Sequence, residues 1–266
     1  MKHPLLYLTL SLLFLTRCSS DDDHQAAGNN PRLLSVVMSM QRSDGTLRPG
    51  YSRTFFYSSS GRLEREEYAS YEIEEEKFYV LWTDAFTYAG NKVTQIDRTR
   101  TETGSMSTTN YTYDTKGRVS AIHLDEDIDT DVTITYEAGD TINALYQSSN
   151  GRWFKYRMSM SGDNIVYSKT IDDSNRFANE TYYEFDDNVN PYSLLGFTDM
   201  FFESVSKNNK IRQSSSYYTP AKPTSVPYSH EYTYLNGLPV KQTIRYKSSN
   251  TGEHTGVAQW EFEYEE

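Results

Sequence analysis

The chain has 266 residues, and 37 acidic against 26 basic side chains give it a formal net charge of −11. That charge, without any block of Lys and Arg, excludes a nucleic-acid-binding surface and disfavours a domain lying flat on an anionic membrane. Tyr contributes 23 residues. Tyr and the abundant Ser and Thr suit a pleated surface that is wet on one face, so the composition favours strands over a helical bundle.

The first segment, residues 1–17, has the features of an export signal. Lys2 and His3 precede an apolar run from Pro4 to Leu15, which is too short to span a bilayer and has the length of a secretory apolar region. The only cysteine of the chain, Cys18, follows directly, and it has no second cysteine with which to form a disulfide.

The sequence around Cys18 resembles a bacterial lipoprotein signal. A Leu stands three residues before the cysteine, a small residue two before, and "SSDDD" after it, like the export tag of Bacteroidota surface lipoproteins. Arg17 stands where such signals ordinarily have Gly, Ala or Ser. The resemblance implies that Cys18 is lipidated and anchors the protein in the outer membrane, exposed at the surface. The alternative is an ordinary cleaved signal with an incidental cysteine. Residues 18–32 predict a flexible acidic tether.

A short motif recurs along the rest of the chain. The stretch "YTYDTKGRVSAI" (residues 111–122) has relatives in "FFYSSSGRLERE", "FTYAGNKVTQI", "ITYEAGDTINAL" and "YTYLNGLPVKQTI". Tyr111 and Tyr113 lie two apart and therefore share one face of a strand. Asp114 can bond the amides of a tight turn, and Gly117 can adopt the left-handed conformation that closes a bulged hairpin. Gly61, Gly139 and Gly237 occupy the equivalent turn position.

These units resemble the YD-repeat family of Rhs-like and teneurin-like shells, whose repeats also contain Tyr-Asp-x-x-Gly-Arg-Leu. Together with the lipoprotein start, they resemble a Bacteroidota surface lipoprotein family of unknown function. The resemblance implies a single β domain over residues 33–266 and brings no catalytic residues with it. We therefore predict an all-β fold: an antiparallel meander of repeated hairpins that forms a large twisted or curled sheet.

Two segments depart from the strand pattern. Asn190 can cap a helix and Pro191 can open it, and apolar residues at helical spacing follow, so we predict at most one short helix near residues 191–205. The three prolines between Tyr217 and Ser229 predict a loop.

The polar clusters do not form a metal or cofactor motif. Asp125–Asp131 has alternating carboxylates, but a calcium loop counted from Asp127 would need Gly where Val132 stands and Glu where Ala138 stands. The histidines lack the spacing of zinc ligands. No nucleophile elbow or phosphate-binding Gly loop is present in the sequence. We expect no metal and no cofactor, and the sequence favours a non-enzymatic role over an enzymatic one without deciding between them.

Two functions from different classes fit this reading. The first is a non-enzymatic surface module that binds a glycan or a protein. Trp82, Trp153 and Trp260 are the candidate aromatic residues of its ligand-binding face. The competing interpretation of each tryptophan is a position in or near the core. The alternative is a polysaccharide-acting hydrolase with paired carboxylates, which need only meet in space about 5 to 10 Å apart.

The lipoprotein interpretation makes a prediction about fractionation. Cys18→Ala removes the thioether-linked lipid and is expected to move the protein from the membrane fraction to the soluble or uncleaved pool, since the acyl chains provide the anchoring. Ser19→Ala is the matched control and leaves the distribution unchanged. Immunoblotting of the fractions measures both. A Cys18→Ala protein that stays with the membrane and begins at another residue contradicts the prediction.

Overall fold

The computed structural model describes residues 31–173, 177–197, 205–218, 223–247 and 254–265. Within these ranges the chain forms sixteen strands and one 3₁₀ turn, Pro191–Leu195. The strands are β1 (Leu33–Gln41), β2 (Leu47–Tyr57), β3 (Leu63–Glu72), β4 (Lys77–Ala89), β5 (Lys92–Arg100), β6 (Met106–Tyr113), β7 (Val119–Asp125), β8 (Thr130–Glu137), β9 (Thr141–Ser148), β10 (Trp153–Ser161), β11 (Asn164–Asp172), β12 (Phe177–Val189), β13 (Asn208–Tyr218), β14 (Pro223–Leu235), β15 (Leu238–Lys247) and β16 (His254–Tyr264).

The strands form one closed antiparallel barrel. Each strand pairs with the next along the chain, and β1 pairs with β16, where Val36 lies opposite Phe262 and Met38 opposite Trp260. The all-β antiparallel meander predicted from the sequence is confirmed, and the sheet, expected to be twisted or curled, closes on itself into a barrel. Closure joins the two ends of the domain, and no local pattern encodes it. It also leaves no sheet edge unpaired.

The two faces of the barrel wall differ in chemistry. Side chains alternate between the faces, and most of the buried inward side chains are apolar. These apolar side chains include Val36, Phe55, Val93, Tyr111, Val119, Ile122, Val132, Ile134, Ile142, Ala144, Met158 and Phe262. The outward set is polar and charged, including Asp97, Asn110, His123, Asp131, Lys155, Glu184, Arg212, Arg245 and Glu261. The apolar core of the protein is therefore the barrel interior.

The recurring tyrosine has one structural role around the barrel. At the end where β1 begins, here called the proximal end, a tyrosine near the end of five even-numbered strands donates its hydroxyl hydrogen to the carbonyl of the first or second residue of the preceding strand. These bonds are Tyr57 to Leu33 (2.8 Å), Tyr88 to Leu63 (2.8 Å), Tyr113 to Val93 (2.6 Å), Tyr136 to Val119 (2.9 Å) and Tyr264 to Pro239 (2.8 Å). Burial raises the pKa of Tyr88 to about 12, so its hydroxyl is a neutral donor at physiological pH.

The basic residue of the repeat stacks on the same tyrosine. Arg118 lies with its guanidinium carbon 3.7 Å from the centroid of the Tyr136 ring, and Lys92 lies 4.9 Å from that of Tyr113. Arg62 over Tyr88 and Arg32 over Tyr57 repeat the contact. Each such contact contributes about 0.5–1 kcal/mol at a partly exposed site. The Gly-Arg-Leu string thus supplies a turn, a cation for a tyrosine ring and a buried aliphatic residue.

The turn in the stretch 111–122 is tied together by Asp114. Its carboxylate accepts hydrogen bonds from the Lys116 and Arg118 amides, both 2.9 Å, and from the Arg118 guanidinium. The bonds from Arg118 lower the pKa of this carboxyl. Gly117 has φ +81°, and a β-carbon there would lie 2.8 Å from the Lys92 amino nitrogen. Gly61, Gly139 and Gly237 also have positive φ.

The segment between β12 and β13 folds into the barrel from the proximal end. The Asn190 side chain accepts a hydrogen bond from the Tyr192 amide, and the 3₁₀ turn ends at Gly196, which has φ +69°. Tyr192 and Leu195 are buried. Within the described part of the predicted span, the turn Pro191–Leu195 ends at Gly196; residues 198–204 of that span lie outside the described residues.

The prediction of a proline-rich loop is wrong for the residues that the structure describes. β14 begins at Pro223, and Pro227 pairs with Ser214 of β13. Proline lacks an amide hydrogen and is tolerated in a strand where one side needs no donor. On its other side, the pairing of β14 with β15 begins at Tyr228, so no described residue of β15 lies opposite Pro227 and needs an amide donor from it. Residues 219–222 lie outside the described ranges.

The turn geometry gives a prediction for Gly117. Gly117→Val forces a β-branched residue to positive φ and is expected to lower the free energy of unfolding by about 1 to 3 kcal/mol. Lys116→Ala, in the same turn, is the control and is expected to cost less than about 0.5 kcal/mol. Urea unfolding followed by tryptophan fluorescence measures both values. Equal, negligible effects would show that the turn does not depend on the glycine.

Candidate ligand-binding chambers

The inserted segment divides the barrel interior into two chambers of about 350 Å³ each. Tyr192 lines both chambers, and its ring meets Phe262 edge to face with centroids 6.2 Å apart. Phe197 meets Tyr111 of the facing wall in the same way at 5.4 Å. Tyr146, from β9, also lines both. Chamber 1 is bounded mainly by β9–β16, and chamber 2 mainly by β2–β9.

Chamber 2 is lined by five charged side chains, and four of them, all except Glu126, form two tight pairs. Arg53 donates to Glu66 through Nε (2.6 Å) and Nη2 (3.0 Å), and Arg98 donates to Asp84 through the same atoms at 2.8 Å each. Glu66 lies opposite Asp84 across β3 and β4, so the four groups form a continuous row on the inner wall. Both carboxylates are buried. Two-point pairing compensates for removing these charges from water.

An aromatic stack adjoins this charged row. Tyr68 and Trp82 are parallel, with ring centroids 4.0 Å apart and planes 4° apart, and both line chamber 2. Arg98 covers the Trp82 ring at 4.9 Å. Tyr68 and Arg98 thus cover the faces of the Trp82 ring, and the stack adds aromatic surface to the chamber wall next to the paired charges.

Chamber 1 has more aromatic walls and one cation. Its lining includes Phe154, Tyr156, Met158, Ile165, Tyr183, Phe185 and Phe262, with Lys210, Asn209 and Gln242 among the polar groups. Lys210 lies opposite Phe185 on the neighbouring strand, and its amino nitrogen is 5.2 Å from the Tyr183 ring centroid.

A neutral histidine adjoins the polar end of chamber 1. His230 is buried, and its Nδ1 lies 3.0 Å from the Gln242 amide nitrogen. Burial, with a smaller effect from the Lys210 charge, lowers the pKa of His230 to about 3. Its Nε2 has no hydrogen-bond partner in the described part of the chain. Because His230 is uncharged at physiological pH, it does not compete with Lys210 for an anion.

Exposed apolar side chains surround the opposite, distal end of the barrel. Each lies in or beside a turn that follows an odd-numbered strand, and the group comprises Met40, Leu47, Ile73, Leu81, Met106 and Ile128. Met106 is 70% exposed. Chamber 2 extends toward this end, because Ser107 and Glu126 are among its lining residues. A ligand with apolar surface could enter past this rim.

The structure separates the three tryptophans selected from the sequence. Trp82 lines chamber 2, and Trp260 packs against the buried cluster that contains Val36 and Phe262. Trp153 is half-buried at the start of β10.

The acidic stretch Asp125–Asp131 spans the end of β7, a turn and the start of β8, where His123 pairs with Asp131 at 2.8 Å. Cys18 lies outside the described residues.

The charged residues of the chambers were not selected from the sequence. A signal was present for Asp84, which stands in phase with Trp82 and Phe86 on the inward face of β4. Lys210 had no such signal, because its inward direction depends on the register of β13 against β12. Which arginine pairs with which carboxylate could not be predicted either, because it depends on the registers of β2 to β5 against one another.

Comparisons with known proteins agree on the architecture. No family model and no curated protein matches the chain. A porin-like protein from Bacteroides uniformis ATCC 8492 superposes with a TM-score of 0.59 at 13% identity, covering 88% of this chain and 96% of that one. A porin-like protein from Bacteroides vulgatus ATCC 8482 gives 0.51 at 12% identity, covering 89% and 99%. The chain shares the fold of these porin-like proteins.

Two features are absent from the described residues: a membrane-spanning helix and a cluster of metal ligands. No helix there is long and apolar enough to cross a membrane. No group of three or more His, Cys, Asp or Glu side chains there is arranged to hold a metal ion.

The charged row gives a prediction for Arg98. Arg98→Met leaves Asp84 buried without its partner and is expected to lower the free energy of unfolding by about 2–4 kcal/mol, while adding Asp84→Leu restores most of it. Arg157→Met, which disrupts an outward pair with Glu137 at 3.8 Å, is the control and costs less than about 0.5 kcal/mol. Urea unfolding measures all three variants. A double variant as unstable as Arg98→Met alone contradicts the argument.

Proposed function

We propose that this protein is a lipid-anchored, non-enzymatic binding module of the outer membrane that holds a small ligand with apolar surface inside its barrel. The anchor is Cys18, by the resemblance of its surroundings to lipoprotein signals. The likeness to porin-like proteins supports the barrel architecture, and the ligand is inferred from the chamber walls.

The observation that carries the proposal is the polarity of the barrel wall. A barrel that spans a membrane has an outward apolar band about 25 Å tall and a polar interior. Here the arrangement is reversed: Glu184 pairs with Arg212 on the outer face, while Val132 and Ile134 face inward. Charged outward side chains occur on strands around the circumference. A domain of this kind stands in water and offers its apolar surface to a ligand inside.

The chambers have the size and composition of ligand sites. Small-molecule sites are concave, mostly apolar and about 300–1,000 Å³, with a few polar groups that orient the ligand. Both chambers fit that description. The sequence had suggested a glycan or protein ligand on an outer sheet face. The inward positions of Trp82 and Trp260 favour the interior over that face.

A polysaccharide hydrolase remains the second candidate, and one observation favours it. Glu66 and Asp84 are buried, lie opposite each other on neighbouring strands and line chamber 2 beside Trp82. A glycosidase needs two carboxyl groups that flank the scissile bond, and these two line the same chamber. Against this, both oxygens of each carboxylate already accept hydrogen bonds from an arginine. Release of reducing sugar that disappears in Glu66→Gln would establish the hydrolase instead.

The binding proposal predicts capture of an uncharged apolar fluorophore. N-phenyl-1-naphthylamine is expected to brighten on addition of the domain from residue 24 onward, and the brightening is expected to fall at least tenfold in Ser107→Trp/Ser168→Trp, whose new rings fill both chambers. The matched control is Asn110→Trp/Lys155→Trp, which places the same rings on the outer face. Fluorescence titration measures the affinities. No brightening with the wild type, or equal loss in both variants, contradicts the proposal.

A further inference from the structure

The two chambers differ in how their cations are paired. In chamber 2 Arg53 and Arg98 each have a carboxylate partner, so the charged row is neutral as a whole. In chamber 1 Lys210 makes no ion pair with any carboxylate of the described residues. Chamber 1 thus contains a single positive charge.

The surroundings of Lys210 amplify the effect of that charge. Its amino group faces the Tyr183 ring, and Phe185 lies opposite on β12. His230 nearby is neutral. Lys210 is half-buried, and an anion brought to a partly buried cation gains more attraction than it would in water.

The position of Lys210 along the barrel sets the direction of the ligand. Lys210 is the third residue of β13 and lies in the proximal half of the barrel. Phe154 and Tyr146 lie on the distal side of the same chamber, at the start of β10 and near the end of β9. The chamber therefore has its cation toward the proximal end, and its aromatic wall continues toward the distal end.

We propose that chamber 1 binds an amphipathic carboxylate, with its anionic group at Lys210 and its apolar part along Phe154, Tyr156 and Met158. This inference rests on the proposed function and adds the chemical class of the ligand. The carboxylate of such a ligand is the negatively charged partner for Lys210, and its apolar chain or ring covers the aromatic wall. An uncharged amphiphile of the same length fills the chamber but leaves the cation unpaired.

The test compares two competitors that differ only in the head group. Dodecanoate and 1-dodecanol are titrated against the domain loaded with N-phenyl-1-naphthylamine. In the wild type dodecanoate is expected to displace the fluorophore at a concentration about tenfold or more below that of dodecanol. Lys210→Met is expected to remove this preference, and Lys210→Arg to retain most of it. Lys241→Met, on the outer face of β15, is the matched control and keeps the wild-type preference.

The outcomes separate this inference from the proposed function. Unchanged fluorophore affinity in Lys210→Met shows that the variant is folded and its chambers are open. Equal displacement by dodecanoate and dodecanol in the wild type, or an undiminished preference in Lys210→Met, overturns the carboxylate inference and leaves the binding module standing. Failure of the wild type to bind the fluorophore overturns both.

Discussion

The pairing of β1 with β16 is the constraint on which the rest of the structure depends. It joins Val36 to Phe262 and closes sixteen strands into a ring. A barrel of eight strands is narrow enough for its own side chains to fill, but one of sixteen leaves a wide lumen. Because the inner wall of this barrel is apolar, an unfilled lumen would expose it to water. Large inward aromatics and the inserted 190–197 segment reduce that space, and the two chambers are what remains.

Tyrosine suits such an interior because it is large and carries one polar group. A buried hydroxyl needs a partner, and the proximal carbonyls supply one to each of five tyrosines. The ring fills lumen volume while the hydroxyl ties one strand to its neighbour. The repeat is thus explained by barrel construction, and the stretch 111–122 carries no chemistry of its own. The chemistry lies instead in residues outside the repeat, such as Asp84, Arg98 and Lys210.

The chambers illustrate two ways of placing charge in an apolar space. The Arg53–Glu66 and Arg98–Asp84 pairs satisfy each other completely, so they stabilise the wall and set its register without requiring a ligand. Lys210 pairs with no carboxylate in the described part of the chain, and the electron-rich face of Tyr183 approaches it. A neutral row and a single cation therefore lie in neighbouring chambers of one barrel, and this difference is the basis of the ligand class proposed for chamber 1.

The sequence by itself determined the features that depend on near neighbours. Strand alternation, the Asp114 and Gly117 turn and the cap at Asn190 follow from contacts within a few residues, so an all-β meander of hairpins and a short turn at Pro191 were predictable. The proline-rich strand was missed because its tolerance depends on where β15 begins to pair. Closure, the inward direction of Lys210 and the meeting of Glu66 with Asp84 were decided by tertiary structure. These depend on register between strands, and at the seam on residues as far apart as Ser35 and Glu263, which are separated by 228 positions. Alternation with a period of two residues predicts that one face of the sheet is buried. Only the closure of the sheet into a ring makes that face the interior of the barrel.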